Sequence, residues 1–545
     1  MKCFDHRSNS VPVASTFTGA FWRERGGGGG ARRLAGLAAV LGALWSGAAQ
    51  GQLTLTNSAG NIDVSKVKGN EGDAVIAYNP QNPAQMFIAG NVNVEAGLFA
   101  AMSSTGGSNW TTVSLAGLPA GAYPAVAWDG MGNLFLAYVD GAPSGSGIDV
   151  AVSTNGGTNF SLMTNFSNGL TNLATGDFVL EPKIAVGGTN VGSVWVLYKD
   201  FSLAFNPLVA QGAAVTGTNS FGNFGLVEIV PGSTNDCGFG DIAVGPQGQV
   251  MVVYQNLFTS AGTATSYVSV DPDGLGPSTF GAAVVAGVNA LGGNTLLPAT
   301  PDGQGINAAS GLAWDTSPVS QNYGRVYMVC VGPGAGGDFT DTAIYLNSSM
   351  DDGATWSMQL QVNDESTNSR FLPRVAVDPT DGVLALSWYD CRKDMGAILV
   401  YTPTNYPFDV DTNGNPIVIN GNTNYVFIGT TLTNASAADV TTNAVGTNTT
   451  TNLSGTVDGI ANHSAMMFAT VSLDGGATFQ PNVNITSPKF TTNGYRAPDA
   501  VSPTDFGDYT GLAFYGGTFI PVWADNGGSG GANPDGTNKT FDVTV

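Results

Sequence analysis

Ala125-Val126-Ala127-Trp128, a short turn, and then Leu134-Phe135-Leu136-Ala137-Tyr138 is a pair of apolar runs whose aromatic and branched residues suit a pleated, buried surface. The first run recurs around a central alanine as Val75-Ile76-Ala77-Tyr78, Lys183-Ile184-Ala185-Val186, Asp241-Ile242-Ala243-Val244, Gly311-Leu312-Ala313-Trp314, Arg374-Val375-Ala376-Val377 and Gly511-Leu512-Ala513-Phe514. Second runs follow, among them Val194-Trp195-Val196-Leu197-Tyr198, Val250-Met251-Val252-Val253-Tyr254 and Ile520-Pro521-Val522-Trp523-Ala524-Asp525. Successive alanines lie 50, 58, 58, 70, 63 and 137 residues apart. Several short strands per unit at such a period predict an all-β chain, a β-propeller of four-stranded antiparallel blades. Seven copies give seven blades; six blades with an accessory sheet is the rival count. The last strand, Lys539 to Val545, would be only the third of its blade. A propeller must hide its sheet edges, so an early strand such as Leu53-Thr54-Leu55-Thr56 is expected to complete the blade.

Composition agrees. The 545 residues include 76 Gly, 43% hydrophobic and only 11% charged residues. Few Glu and Lys are available to cover helix surfaces, while 10% aromatics supply enough apolar area for large cores. Residues 1–51 read as an export signal with a long leading region: Arg23, Arg25, Arg32 and Arg33 precede an apolar run from Leu34 to Trp45 and small residues near Ala48-Ala49. That run is shorter than the ~20 residues of a membrane span. The expected location is therefore secreted, periplasmic or cell-surface, with residues 52–545 as one domain. Beyond residue 51 the chain carries 12 basic against 38 acidic residues, a net −26. Such a surface repels phosphates and anionic lipid, which excludes nucleic acid and membranes as partners. A monomer is expected. Cys237, Cys330 and Cys391 allow at most one disulfide among them.

A second element recurs after the third strands. Ser349-Met350-Asp351-Asp352-Gly353-Ala354-Thr355-Trp356 and Ser472-Leu473-Asp474-Gly475-Gly476-Ala477-Thr478-Phe479 share Ser-x-Asp-x-Gly-x-Thr-aromatic, with degenerate copies at Ser103 to Trp110 and Ser153 to Phe160. Gly permits a backbone angle that other residues resist, Asp and hydroxyl side chains bond turn amides, and the ring packs on the sheet. The pattern resembles the Asp-box, or BNR repeat, of the sialidase superfamily. The resemblance implies a propeller, six-bladed in familiar sialidases, and an exo-acting glycoside hydrolase. It also implies three arginines gripping the substrate carboxylate, a Tyr–Glu nucleophile pair and an Asp acid/base. This chain departs from that pattern. Its arginines beyond residue 51, Arg325, Arg370, Arg374, Arg392 and Arg496, all fall in the last three repeats. Where the family carries Arg-Ile-Pro in the opening blade, Glu71-Gly72-Asp73-Ala74 stands instead. The family's catalytic residues therefore do not transfer.

Propellers bind ligands over the axis where the first strands begin, so residues just before each alanine motif are the candidates. Asp73, Glu181, Asp508 and Tyr509 are the candidate acid, base or nucleophile groups, and Arg370, Arg374, Arg496 and Tyr123 the candidate ligand-binding groups. Acids, Tyr and Arg together offer the acceptors and donors that an oxygen-rich glycan needs. An Asn/Thr-rich insertion at about 395–463 contains Asp409-Val410-Asp411-Thr412-Asn413-Gly414-Asn415. Asp409, Asp411 and Asn413 match the first half of a calcium loop, but Asn420 stands where such loops place a bidentate Glu. Calcium is the one cofactor the residues suggest, and none is required. The tract from Thr430 to Asn452 reads as a flexible loop. Three functional readings stand: a glycan-binding propeller, an exo-acting sialidase-like glycoside hydrolase, and a structural or adhesive surface protein.

Overall fold

The computed structural model describes residues 61–545 except 93–96, 141–146, 168–181, 189–191, 235–236, 257–261, 293–309, 335–340, 367, 394–417, 420–421, 424–439, 446–447, 454–463, 487–491, 494–505 and 527–540. The fold belongs to the unit Asn57–Val545. It is a seven-bladed propeller of antiparallel sheets. Blade 1 is β1 (Glu71–Asn79), β2 (Asn82–Val92), β3 (Gly97–Ser103) and β4 (Thr111–Val113); blade 2 is β5 (Gly121–Trp128), β6 (Leu134–Asp140), β7 (Gly147–Ser153) and β8 (Ser161–Ser167). Blade 3 is β9 (Lys183–Gly187), β10 (Gly192–Lys199) and β11 (Leu208–Gly217), with two short outer strands, β12 (Ser220–Phe221) and β13 (Glu228–Ile229), both on β11. Blade 4 is β14 (Cys237–Val244), β15 (Val250–Asn256), β16 (Gly262–Asp271) and β17 (Val284–Gly292); blade 5 is β18 (Gly311–Trp314), β19 (Val326–Pro333), β20 (Thr342–Ser349) and β21 (Leu360–Gln361).

Blade 6 begins with β22 (Arg370–Val377) and β23 (Leu384–Asp390). The insertion then intervenes, holding the ladders β24 (Val418–Ile419) with β25 (Asn422–Thr423) and β26 (Val440–Val445) with β27 (Asn448–Leu453). The tract expected to be a loop therefore contains a hairpin; its threonines, with Val440 and Val445, supply β-branched residues for a ladder. Blade 6 resumes with β28 (Ser464–Ser472) and β29 (Val483–Asn484), and β30 (Thr492–Asn493) adds to β28. Blade 7 is β31 (Gly511–Tyr515), β32 (Thr518–Asp525) and β33 (Asp542–Thr544). The fourth line of blade 7 comes from the other end of the chain. Asp63 bridges Thr544, Ile62 N donates to Val545 O at 3.1 Å, and Val64 N donates to Val543 O at 2.8 Å. Closure thus uses Ile62–Val64; Leu53–Thr56 lie outside the described residues. Val64, Ala74, Ile76, Ala513, Val522 and Val543 form one buried core across the closing seam.

The repeated alanine has a steric reason. In the β1–β2, β5–β6, β9–β10, β14–β15 and β18–β19 pairs it lies directly opposite Phe87, Phe135, Trp195, Met251 and Tyr327. A small residue near the axis beside a large one further out fits the wedge shape of a blade. In blades 1, 2, 5 and 6 the Ser-x-Asp hairpins and their degenerate copies join third and fourth strands at the end away from the first-strand starts. Ser349 Oγ accepts from Gly353 N at 2.9 Å and donates to Asp351 Oδ1 at 2.8 Å, while Asp351 accepts from Thr355 N (2.8 Å) and Oγ1 (2.7 Å). Ser472 and Asp474 repeat the scheme with Gly476 and Thr478. Gly157 occupies the same place in blade 2 at φ +89°, and a Cβ there would lie 2.6 Å from the Phe87 ring of blade 1. Trp356 and Phe479 pack against the blade cores. Among the described residues no helix is long and apolar enough to cross a membrane.

Candidate functional site

Inner strands enter the propeller through a bulge. Register shifts fall between Gly72 and Val75, Ala122 and Ala125, Gly238 and Asp241, and Phe371 and Arg374. Asp73, Tyr123 and Leu372, each four residues before a motif alanine, have φ of +53°, +58° and +48°. L-residues in this region cost roughly 1–2 kcal/mol each, and such strain gathers where a backbone is held in place for a purpose.

Tyr509 of blade 7 draws four blades together. Its hydroxyl donates to Pro124 O of blade 2 at 2.8 Å. Lys183 Nζ of blade 3 lies 4.0 Å from its ring centroid, and Arg374 Cζ of blade 6 lies 5.7 Å away. Cations over an aromatic face are attracted by the ring quadrupole. Tyr509 is buried, whereas Lys183, Arg374 and Asp508 are half-buried. Arg374 Nε donates to Thr510 O at 2.5 Å, and among the described residues its terminal nitrogens have no hydrogen-bond partner.

Asp73 ties this group to the closing seam. Its Oδ1 accepts from Asp508 N at 2.5 Å and its Oδ2 from Asn91 Nδ2 at 2.5 Å. Asn91 Oδ1 in turn accepts from Tyr123 N at 2.7 Å, so blades 7, 1 and 2 are linked through two buried side chains. Asp241 plays a similar part further round: its Oδ2 accepts from Leu312 N of blade 5 at 2.9 Å.

Arg370 is enclosed rather than presented at the rim. Its side chain is wholly buried, Nε donates to Asp390 Oδ2 at 3.2 Å, and Nη1 donates to Asn368 O at 2.6 Å. Asp390 also accepts from Arg392 Nη2 (2.7 Å), Trp388 Nε1 (3.0 Å) and Arg392 N (2.9 Å). Arg392 Nη1 reaches Asp364 at 2.6 Å. Burial alone would raise the Asp390 carboxyl; Arg370 and Arg392 outweigh it and hold it below the ordinary carboxylate value.

The structure therefore brings together Asp73, Tyr123, Asp508, Tyr509 and Arg374, and puts Arg370 into a buried ion network. Glu181, Arg496, Asp409, Asp411 and Asn413 lie outside the described residues. Three contributors were missed. Lys183 stands two residues before its motif alanine, as Arg374 and Asp241 do, and that shared position was a usable signal. Asn91 and Asp390 sit on second strands, where only the strand register reveals their reach. A further hairpin of the Ser-x-Asp kind was also missed in blade 4: Asp271 replaces the serine, and Asp273 accepts from Ser278 N at 3.1 Å. Among the described residues no three His, Cys, Asp or Glu side chains are grouped to hold a metal, and the three cysteines are free and buried.

No protein-family model matches the chain, and no curated protein matches it. Among solved structures, it is similar to a Penicillium chrysogenum α-L-arabinanase complexed with arabinobiose, at 12% identity over 61% of this chain and 93% of that one, TM-score 0.39. A GH93 α-L-arabinofuranosidase of Fusarium graminearum with arabinobiose matches at 12% identity over the same shares, TM-score 0.40. A Hadza microbial sialidase matches at 12% identity over 58% of this chain and 63% of that one, TM-score 0.36.

Proposed function

We propose that this chain is an exported, sialidase-like Asp-box propeller that binds extracellular glycan at the mouth of its central channel, acting as a monomer. The observation that supports it best is Arg374, half-buried at the first-strand start with its terminal nitrogens uncommitted among the described residues. A planar guanidinium with two free nitrogens suits a carboxylate or a pair of sugar hydroxyls. Lys183 and Asp508, half-buried around the same Tyr509, add a donor and an acceptor. A binding role is favoured by what two of the candidate catalytic groups, Asp73 and Tyr509, do in holding the blades together. Both Asp73 oxygens accept hydrogen bonds, and the Tyr509 hydroxyl donates to a backbone carbonyl. The test is hydrolysis of a fluorogenic sialoside by the protein and by Arg374→Ala and Asp508→Ala. No turnover by any of the three is expected; turnover lost in both variants would replace binding with a rearranged hydrolase site.

A further inference from the structure

The seam between blades 3 and 4 holds a pair of acids that the mouth does not use. Asp271 ends β16, alternating with Tyr267, whose ring packs on the core shared by blades 3 and 4, so its side chain faces blade 3. Glu228 stands opposite Ala210, a member of that same core, so its side chain faces blade 4. The hairpin after Asp271 folds onto blade 3, with the Phe280 ring 6.4 Å from that of Trp195, edge to face.

Asp271 is wholly buried. Its Oδ1 accepts from Asp273 N at 3.3 Å, and the carboxyl also meets Gly274 N and the Asp273 carboxyl, but no donor reaches Oδ2 among the described residues. The Glu228 carboxyl accepts from the Phe280 backbone, while its Oε2 is enclosed with no partner among the described residues. Asp273 is occupied by Ser278, whose Oγ donates to it at 2.9 Å. The charged groups that act on Glu228 are Asp271 and Asp273, and Asp273 acts on Asp271; all are negative. Burial first and these like charges second push Glu228 up to about 7; burial first, with Asp273 adding, pushes Asp271 up to about 6. Two enclosed carboxylate oxygens in one seam, with no cation among their described charged neighbours, suit a positive ligand.

We propose that the unpartnered oxygens of Glu228 and Asp271 are ligands of a divalent cation of calcium size that bridges blades 3 and 4. Calcium takes six to eight oxygens, so two carboxylates leave the rest of the shell to water and carbonyl groups. With so few charged ligands the dissociation constant falls at about 10⁻⁴ to 10⁻³ M.

The experiment is thermal unfolding of the protein at pH 8 in EDTA or in 10 mM calcium chloride, with calorimetric titration of calcium into the EDTA-stripped protein. Calcium is expected to raise Tm by about 1–3 °C, since saturation tenfold to a hundredfold above Kd acts on a domain of this size. One binding event is expected in the titration. Glu228→Gln and Asp271→Asn should each abolish both responses, while Glu228→Gln in EDTA melts no lower than the parent because a repelled charge has gone. A calcium response that survives in both variants would overturn the proposal. So would a Tm that ignores calcium and falls between pH 5.5 and 8 equally in EDTA and calcium, because the pair would then be held by a proton.

Discussion

Replacing Asp390 by Asn removes the wholly buried anion that faces Arg370 and Arg392 in blade 6 and leaves its geometry almost unchanged. Arg370, wholly buried, and Arg392, nearly so, would then face an amide that cannot balance either charge. Breaking a buried ion network by removing one partner costs about 3–5 kcal/mol, because the remaining charges stay enclosed. At about 2.1 cal/mol/K per residue, a unit of roughly 485 residues has an unfolding entropy near 1 kcal/mol/K, so Tm should fall by about 3–5 °C. The acid limb gives an independent check. The folded carboxyl lies below its ordinary value, so its contribution is present above about pH 4 and lost as pH falls through the folded value. Asp390→Asn should therefore narrow its gap to the parent protein as pH drops from 7 to 3. Differential scanning calorimetry across that range measures both. The triple variant Arg370→Met, Asp390→Leu, Arg392→Met should recover most of the loss, since apolar groups of similar volume leave no charge behind. A Tm drop below 1 °C at pH 7, or a gap that does not change with pH, would refute the reasoning.

Other consequences are as specific. Gly157→Ala puts a Cβ 2.6 Å from the Phe87 ring at φ +89° and should cost about 1–3 kcal/mol, read as a shifted denaturant midpoint. Gly130→Ala, with nothing within 4 Å, should be near neutral in the same assay. Val64→Asp places a charge in the core of the closing seam and should lower Tm by several degrees, with protease cleavage near both ends of the propeller appearing first. Asp351 and Asp474 are held below the ordinary carboxylate value, chiefly by the Thr355 bonds for Asp351 and, against burial, by the Thr478 bonds for Asp474. Their hairpins should gain hydrogen exchange as pH falls below about 4.

Much of the architecture was legible because a propeller repeats its sterics locally. The alanine at the inner strand and the large residue opposite it recur within about ten residues, and the Ser-x-Asp turn within eight, so both survive in the linear order. The mouth was only half legible. Asp73, Asp508, Tyr509 and Arg374 could be named by position, but Asp508 N meets Asp73 across 435 residues and Tyr509 meets Pro124 across 385. Nothing local encodes such pairings. Arg370 and Arg374 looked equivalent, both just before one motif. The bulge between Phe371 and Arg374 separates them, with Arg370 paired to Asp390 and Arg374 reaching toward blade 7.

Binding at the mouth is tested most directly by a glycan array probed with the parent protein beside the double variant Lys183→Met, Arg374→Met, each checked for an unchanged Tm. The account predicts that the parent retains a set of glycans, carboxylate-bearing ones foremost, and that the double variant loses them at least tenfold. Retention unchanged in the folded variant, or a parent that holds no glycan at all, would contradict it.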